Sequence, residues 1–561
     1  MNNNMVLLKE IIAEDFKEND LFQKKDDFFE YFVASQVLKN YGLDEDELKD
    51  GLTGGGHDGG CDGVYLFLNG NLLTPDQIDS LPTTGTSAIL NLIIIQSKNT
   101  NSFTEDAIMK WKTLSENLFD MEKPLSEFKQ RYSEGILEKF QMLRDTMSKL
   151  VRKHLKTSIE FFYAAIADEI HPNLKAQAEE LVSKNRKIFP SATVEFNFLD
   201  ANKLMELYNS GTDITINVRL AATPISIGQH KDIVALINVG TYYKFITDSK
   251  NDLQKKFFEA NVRDYQGKNS VNSAIAETLH NNTGEDFWWL NNGITILSDE
   301  TTFANGQELV LTNPKIVNGL QTSTEIYNYY SQNTDKIQNE TRNVLVRIIS
   351  PVDETSRDRI ILATNNQTNI PKSSLRVTDD IHLQIEMYFK SRGLYYDRRK
   401  NYYKNQGKKS SEIVSVPFLA QCLISLLLKK PDFARARPST LLTDDGTYEQ
   451  LYNSNFDLNV YYNTAVIGKH IQKNLSLFTD LSSTERNDMQ FYVVYSTVAQ
   501  ILKKRKITSE DMGNFNIDLV TDELINSTSN KIYRKYKELG GNSRVAKNPT
   551  FINDVDALLE F

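Results

Sequence analysis

The sequence predicts an α/β arrangement over residues 1–205, then a larger α+β region that is β-rich over 211–375 and helical over 376–561. Three observations predict it. Helically spaced apolar residues alternate with short β-branched runs through the first 205 positions. From 211 onward, short β-like runs are separated by Asn-rich turns. After 375 the long apolar stretches follow the helical period instead.

The elements follow in order. "DDFFEYFVASQVLKNYG" places Phe28, Phe29, Phe32, Val33, Val37 and Leu38 at helical spacing, with a glycine at the end. "GGGHDGGCDGVYLFLNG" (54–70) sets six glycines, Asp58 and Asp62 in its first ten positions, at the mouth of a hairpin whose first strand is "VYLFL". Glycine costs backbone entropy, so such a run marks unusual dihedrals or a close approach of backbone to something else. "ILNLIIIQSK" (89–98) reads as a strand and residues 104–157 as helical. "IEFFYAAIAD" (159–168) and "ATVEFNFLD" (192–200) read as strands around the helix "NLKAQAEELVSKNRK". "DITINVRL", "GITILSD", "ELVLTNPKIVNG" and "VLVRII" read as strands, with Trp288 and Trp289 beginning one and at least one of them facing the core. "VPFLAQCLISLLLKK" and "QFYVVYSTVAQILKKRK" read as helices.

Composition sets the class. With 561 residues, 40% hydrophobic and 25% charged, the chain has the balance of a soluble globular protein of more than one domain. Cys61 and Cys422 are too few for a disulfide framework or a cysteine zinc cluster. The start "MNNNMVLLKE" lacks the pattern of a secretion signal, and no apolar run has membrane-spanning length. The expectation is a cytoplasmic protein with no membrane partner. A net charge of −10 argues against general coating of nucleic acid but leaves room for a local basic groove. Residues 391–410 carry seven Lys/Arg against one Asp with four tyrosines interleaved; residues 129–157 carry eight basic against three acidic. Each fits either a solvated face or a phosphate-contacting surface. The seven histidines show no ligand spacing, so His57 reads as a surface or packing residue.

The chemistry gathers near the front. In "IIIQSK" the strand period puts Gln96 and Lys98 on one face and Ser97 on the other. If the hairpin after Asp62 pairs beside it, a carboxylate, an amide oxygen and an ammonium meet at the sheet edge. That group suits a phosphodiester site: Mg²⁺ wants hard oxygen ligands, and Lys98 can position or deprotonate water or offset transition-state charge. A second carboxylate is then needed, and Glu30 stands in an otherwise apolar helix. No Gly-Lys-Ser/Thr follows the glycines, which argues against a P-loop.

Asp62, "QSK" some thirty residues later and the preceding helix with Glu30 resemble the PD-(D/E)XK nucleases, most closely the Mrr-like subgroup with a "GGxDGGxDG" stretch and Gln-x-Lys. The resemblance implies a restriction-endonuclease-like domain, a mixed central sheet flanked by helices. It also implies Asp62, Gln96, Lys98 and Glu30 as catalytic residues, with Asp62, Gln96 and Glu30 holding Mg²⁺ or Mn²⁺ and Asp58 as a secondary candidate. The glycines would let backbone and scissile phosphate come close.

Further on, "FEANVRDYQGKNSVN" (258–272), "FWWLNNGITIL" (287–297), "IVNGLQTSTEIY" (316–327), "ATNNQTNI" (363–370) and "LYYDRRKNYY" (394–403) follow in order. This set resembles the AIPR family, named for abortive infection and phage resistance, which implies a role in bacterial defence against phage. Arg263, Asn291, Asn292, Asn318, Gln321, Asn366 and Gln367 could read base edges or grip phosphate. Trp288, Trp289, Tyr395, Tyr396, Tyr402 and Tyr403 could stack on bases beside Arg398, Arg399 and Lys400. The same Asn-Gly pairs equally suit structural turns. The expected function is a metal-dependent endonuclease, on DNA first, in antiphage defence, with the AIPR region recognising the target or regulating the cutter. The alternatives are a catalytically silent nucleic-acid or nucleotide sensor and an RNase of abortive infection. A homodimer, a regulatory partner and a phage-derived trigger are partners by analogy alone.

Overall fold

The run "ILNLIIIQSK" is apolar at nearly every position because the strand it forms is covered on both faces. That strand is β3 (Ser87–Lys98), in a computed structural model that describes residues 3–19, 21–79, 81, 87–152, 154–209, 215–227, 232–248, 251, 253–254, 257–258, 270–280, 285–351, 354–365, 380–398, 401–436, 444–478 and 481–561. It pairs antiparallel with β1 (Gly63–Leu68), which in turn pairs with the short β2 (Asn71–Leu72). On its other side β3 runs parallel to β4 (His154–Ala165), and β4 to β5 (Thr193–Leu199). The mixed five-stranded sheet therefore has the order β2-β1-β3-β4-β5.

Eight helices accompany it among the described residues: α1 (Asn3–Glu18), α2 (Lys25–Val37), α3 (Glu45–Asp50), α4 (Pro75–Asp79), α5 (Asp106–Leu118), α6 (Glu134–Leu150), α7 (Pro172–Ile188) and α8 (Ala201–Asn209). Leu90, Leu92 and Ile94 share one core with Trp111 of α5, Phe140 of α6 and Leu181 of α7. Trp111 is fully buried against Phe161 and Phe196, with ring centroids 5.1 and 5.7 Å away. Ile93 and Ile95 are buried outside that core, and α2 lies against β3. Phe28, Phe29, Phe32, Val33 and Leu38 are buried at the helical spacing read from the sequence.

Two readings are corrected in detail. The stretch 104–157 is two helices split by a 3₁₀ turn at Leu125–Phe128, and from His154 it is strand. Its basic character is partly internal. Arg144 is buried, and its guanidinium donates to the carbonyls of Leu118, Asp120 and Lys123, fixing the chain after α5. Trp288 and Trp289 do not begin a strand: they close a 3₁₀ turn, Phe287–Trp289, in which Phe287 is buried and Trp289 is 61% exposed. Strand begins only at Ile294.

The chain forms two compact units, Met1–Lys39 with Leu43–Ser210 and Asp379–Phe561, and Asn40–Gly42 with Gly211–Thr378. In the second, β7 (Ile225–Ile227), β8 (Asp232–Asn238), β9 (Ile294–Leu297), β12 (Lys315–Asn318) and β13 (Asn343–Ile349) make a sheet of order β12-β9-β13-β8-β7. A three-stranded sheet, β10-β11-β6, comes from Glu300–Asn305, Glu308–Thr312 and Thr215–Arg219. The helix Leu320–Tyr330 buries Ile326 and Tyr330 in the same core as Ile294, Ile296, Val344 and Val346.

The helices after Asp379 belong to the first unit, together with the short parallel pair β14 (Tyr395–Asp397) and β15 (Ile413–Ser415). Asp488, on the helix Ser483–Leu502, is buried and accepts from Arg435 Nε at 2.8 Å, Tyr536 Oη at 2.8 Å and Ser543 Oγ at 2.9 Å. Arg435 also approaches Asp50 of α3 at 3.9 Å, and Asp50 meets Lys139 of α6 at 3.5 Å. Lys547 pairs with Glu138 of α6. This ionic seam ties the helical part to the sheet-bearing part. Cys61 and Cys422 are buried free thiols, and among the described residues no helix is long and apolar enough to cross a membrane.

Candidate active site

β1 opens at Gly63, opposite Ile95 of β3, so Asp62 stands one residue before the first strand pair. Its own backbone is already committed: the N–H donates to the Ile95 carbonyl at 2.8 Å and the carbonyl accepts from the Thr53 N–H at 2.8 Å. The side chain is therefore aimed from a fixed frame along the end of β3. Asp62 Oδ2 accepts from Gln96 Nε2 at 2.6 Å, from the Ser97 N–H at 2.6 Å and from Ser97 Oγ at 3.0 Å. Asp62, Gln96 and Ser97 are all buried.

Sequence reasoning missed Ser97, because strand alternation assigns it to the opposite face. Asp62 lies beyond the last paired position, where the carboxylate reaches the backbone N–H of Ser97 as well as the side chain of Gln96. A hydroxyl directly between Gln96 and Lys98 was the available signal. Gln96 presents its amide nitrogen to Asp62, where the sequence reading had it offering oxygen; the two ends of an amide are set by the hydrogen-bond network around them.

Glu30, on α2, belongs to the same group. Burial and the charges of Asp62, Asp27 and Asp58 push its carboxyl up from 4.5 to about 9, against the pull of Lys98. Asp62 is pushed up from 3.8 to about 6, chiefly by burial, while the Ser97 N–H, Lys98 and the Ser97 hydroxyl oppose the rise and Asp58 adds to it. Both carboxyls thus hold protons more tightly folded than unfolded. Stability contributed this way is fully present below the unfolded pKa values and is lost as pH rises, up to about 6 for Asp62 and about 9 for Glu30. Glu30→Gln is expected to flatten the upper part of that decline and to raise the unfolding midpoint near pH 8 by about 1–2 °C. Differential scanning fluorimetry across pH, without divalent ions, checks it; parallel wild-type and variant profiles would refute the shared field.

The glycine stretch shapes this pocket. Asp58 Oδ1 accepts from the Gly60 N–H at 2.7 Å, closing a turn in which Gly60 has φ +83°, a left-handed conformation that a side chain disfavours. A Cβ on Gly60 would also fall 3.4 Å from Gln96 Oε1. At Gly54 a Cβ would fall 2.4 Å from Glu30 Oε2. Gly54→Ala is therefore expected to displace Glu30 and to cut any metal-dependent turnover about tenfold or more while the fold is retained. Cleavage assays beside circular dichroism test this, and unchanged turnover would remove Glu30 from the site. His57 is exposed, and its backbone carbonyl accepts from the Ser133 N–H at 2.8 Å.

Could the group hold a divalent cation? Among the described residues no three His, Cys, Asp or Glu side chains form a metal cluster. The donor set is two carboxylates and an amide, all oxygen donors once the Gln96 amide is turned. Mg²⁺ is commonly held by one or two carboxylates with waters completing its shell. Two acids pushed upward at one point, beside a single lysine, mark a place where a dication would lower both pKa values. The residues fit such an ion.

Among the described residues, the second set of candidates is held in place by hydrogen bonds of its own. Asn291 Nδ2 donates to the Phe287 carbonyl at 2.8 Å, and Asn292 is exposed beside it. Asn318, at the end of β12, donates to the Thr364 carbonyl at 2.8 Å. Gly319 follows with φ +102° and starts the helix that carries Gln321. Arg398 is buried, its Nε donating to Glu386 at 2.7 Å, and Tyr403 Oη donates to the other Glu386 oxygen at 2.7 Å. Tyr396 is buried against His382, whose Nδ1 lies 2.8 Å from its hydroxyl. Arg398, Tyr396 and Tyr403 thus build the interior instead of a stacking surface. Tyr395 and Tyr402 are half-buried. Arg263, Asn366, Gln367, Arg399 and Lys400 lie outside the described residues.

Residues 258–544 match the model of the AIPR protein family. The chain belongs to the AIPR family. The match covers the ordered Asn-, Gly- and Tyr-rich motifs, and it leaves the group around Asp62 outside its bounds. No curated protein and no solved structure matches this AIPR chain.

Proposed function

We propose that this AIPR protein is a metal-dependent nuclease of the PD-(D/E)XK type, acting on DNA in defence against phage. The observation that carries the reading is the convergence of Glu30, Asp62, Gln96 and Lys98 at one end of β3. Asp62 meets Gln96 directly, and Glu30 and Asp62 each feel the charge of Lys98. The mixed sheet, with β1 antiparallel to β3 and β3, β4 and β5 parallel, supports a restriction-endonuclease-like core. Family membership supports the role in defence.

Asp62 and Glu30 would hold Mg²⁺ or Mn²⁺, with the Gln96 oxygen as a neutral third donor. Bound there, the ion would supply Lewis-acid polarisation of a phosphodiester oxygen. Ser97 fixes the Asp62 rotamer through two donors to one oxygen, which leaves the other for ligation. Lys98 is half-exposed at the strand end, so its ammonium can meet a phosphate while staying solvated. The turn at Asp58 and Gly60 offers backbone close to that phosphate.

The test is direct. The purified full-length chain, incubated with Mg²⁺, should cut one of supercoiled plasmid, linear duplex, single-stranded DNA or RNA, and chelator should stop it. Cutting of RNA alone would move the substrate and keep the chemistry. A catalytically silent nucleic-acid binder is the second reading, favoured by the small acidic set at the site. It predicts retention of nucleic acid on a gel with no new ends in either condition.

A further inference from the structure

Within the first unit a cavity of about 310 Å³, whose lining does not include Lys98, lies between the sheet-bearing part and the C-terminal helices. Its walls come from the start of α2, from α3 and α6, and from the first three turns of the helix Ser483–Leu502. We propose that it is a binding site for a small organic phosphate of nucleoside-monophosphate size.

The pairing of the charges that line the cavity, more than their sum, points to its ligand. Asp50 is paired with Lys139 and Arg435, and Glu138 with Lys547. Asp46 is taken by Lys49, Ser415 and Gln472. Asp44 and Glu47 cap α3 in a reciprocal box. Outside these pairs and caps stand Arg486, Asp27 and the solvated Lys24, and the lining as a whole is balanced, six basic side chains against six acidic. Among the described residues, no acceptor lies within hydrogen-bond distance of the half-buried Arg486 guanidinium. Burial holds its guanidinium below the usual arginine range, with Asp27 and then Glu485 acting against this from beyond ion-pair distance. A planar fork of donors left in that state fits a phosphate.

Two further observations point the same way. Gln490, one turn on from Arg486, lines the cavity at 7% exposure, and its Nε2 has no acceptor. A buried amide of this kind costs about 1–3 kcal/mol until something accepts from it. Ser483 and Thr484, in the first turn of the helix bearing both residues, line the same space, and the N-terminal end of a helix favours an anion beyond what its Ser482–Glu485 capping box supplies. Phe22, Met142, Phe418 and Phe491 supply apolar wall for a ring. The volume is at the small end of organic-ligand pockets. An anionic head at Arg486, a flat apolar body and an edge that accepts from an amide describe a nucleotide better than a bare ion.

Calorimetry and thermal unfolding of the full chain, with chelator present to silence the Asp62 group, test the proposal. AMP, adenosine, phenyl phosphate and inorganic phosphate are the probes. AMP should bind and raise the unfolding midpoint, with adenosine and inorganic phosphate each about tenfold weaker or more. Arg486→Gln should weaken AMP about tenfold or more, and Lys98→Ala should leave it unchanged. If Arg486→Gln fails to fold, Asn487→Asp, which adds a negative charge at the same wall, carries the test in its place. No binding of any probe up to about 1 mM, equal affinity for AMP and phosphate alone, or AMP binding indifferent to these wall substitutions would overturn it. None of these results depends on whether the chain cuts nucleic acid.

Discussion

Lys98→Ala is expected to lower metal-dependent cleavage by about 10³-fold or more while the protein stays folded. The size follows from what an ammonium does beside a reacting phosphate: in a site walled by buried strand residues, its field is only partly screened. The chain loses little else. Lys98 is half-exposed at the end of β3, and its removal leaves no buried donor or acceptor behind. Asp62→Ala should abolish cleavage equally but is a poorer probe. It strips Gln96 Nε2, the Ser97 N–H and Ser97 Oγ of their shared acceptor, at about 1–3 kcal/mol for each group left unpaired. Asp62→Asn keeps most of the shape and separates the two effects. Plasmid-nicking rates beside circular dichroism are the measurement. Cleavage that survives both Lys98→Ala and Asp62→Asn at wild-type rate would remove this site from the chemistry.

The largest stability effect is expected at the seam between the two parts of the first unit. Arg435→Ala should cost about 3–5 kcal/mol, because it leaves the fully buried Asp488 carboxylate with only two hydroxyl donors. Removing the charge on both sides, Arg435→Met with Asp488→Leu, should recover much of that loss, since burying an ion pair is itself expensive. Lys537→Ala, which breaks a pair with Glu485 at the surface, should fall within about 1 kcal/mol of wild type. Urea denaturation followed by fluorescence ranks the three. An Arg435→Ala midpoint equal to that of Lys537→Ala would mean that the seam contributes nothing.

Much of the front of the molecule was legible from residues alone. β3 could be read because a strand covered on both faces must be apolar nearly throughout, and α2 because Phe28, Phe29, Phe32 and Val33 repeat at the helical period. Glu30 stands out in the sequence as an acid among aromatic residues, and in the structure it lies within the field of Asp62 and Lys98. Arg398 was not legible. In sequence it sits in a basic, tyrosine-rich stretch, and nothing local reveals that Glu386, on the helix before it, takes its charge indoors. The double tryptophan misled for a similar reason: aromatic residues suit strands, but Phe287 alone supplies the buried contact there, and Trp289 turns outward.

Period and composition by themselves determined most of the strands and helices, except the strand from His154 and the turn at Phe287–Trp289, and the ordered motifs carried the resemblance to the AIPR family. These are local properties, fixed by side-chain spacing along one segment. The tertiary structure alone decided that Ser97 joins Asp62, that the helices after Asp379 close on the sheet-bearing part through Arg435 and Asp488, and that Arg486 faces a cavity without a partner. Each of those depends on segments tens to hundreds of residues apart, and no one-dimensional pattern encodes which charge a distant segment will bring.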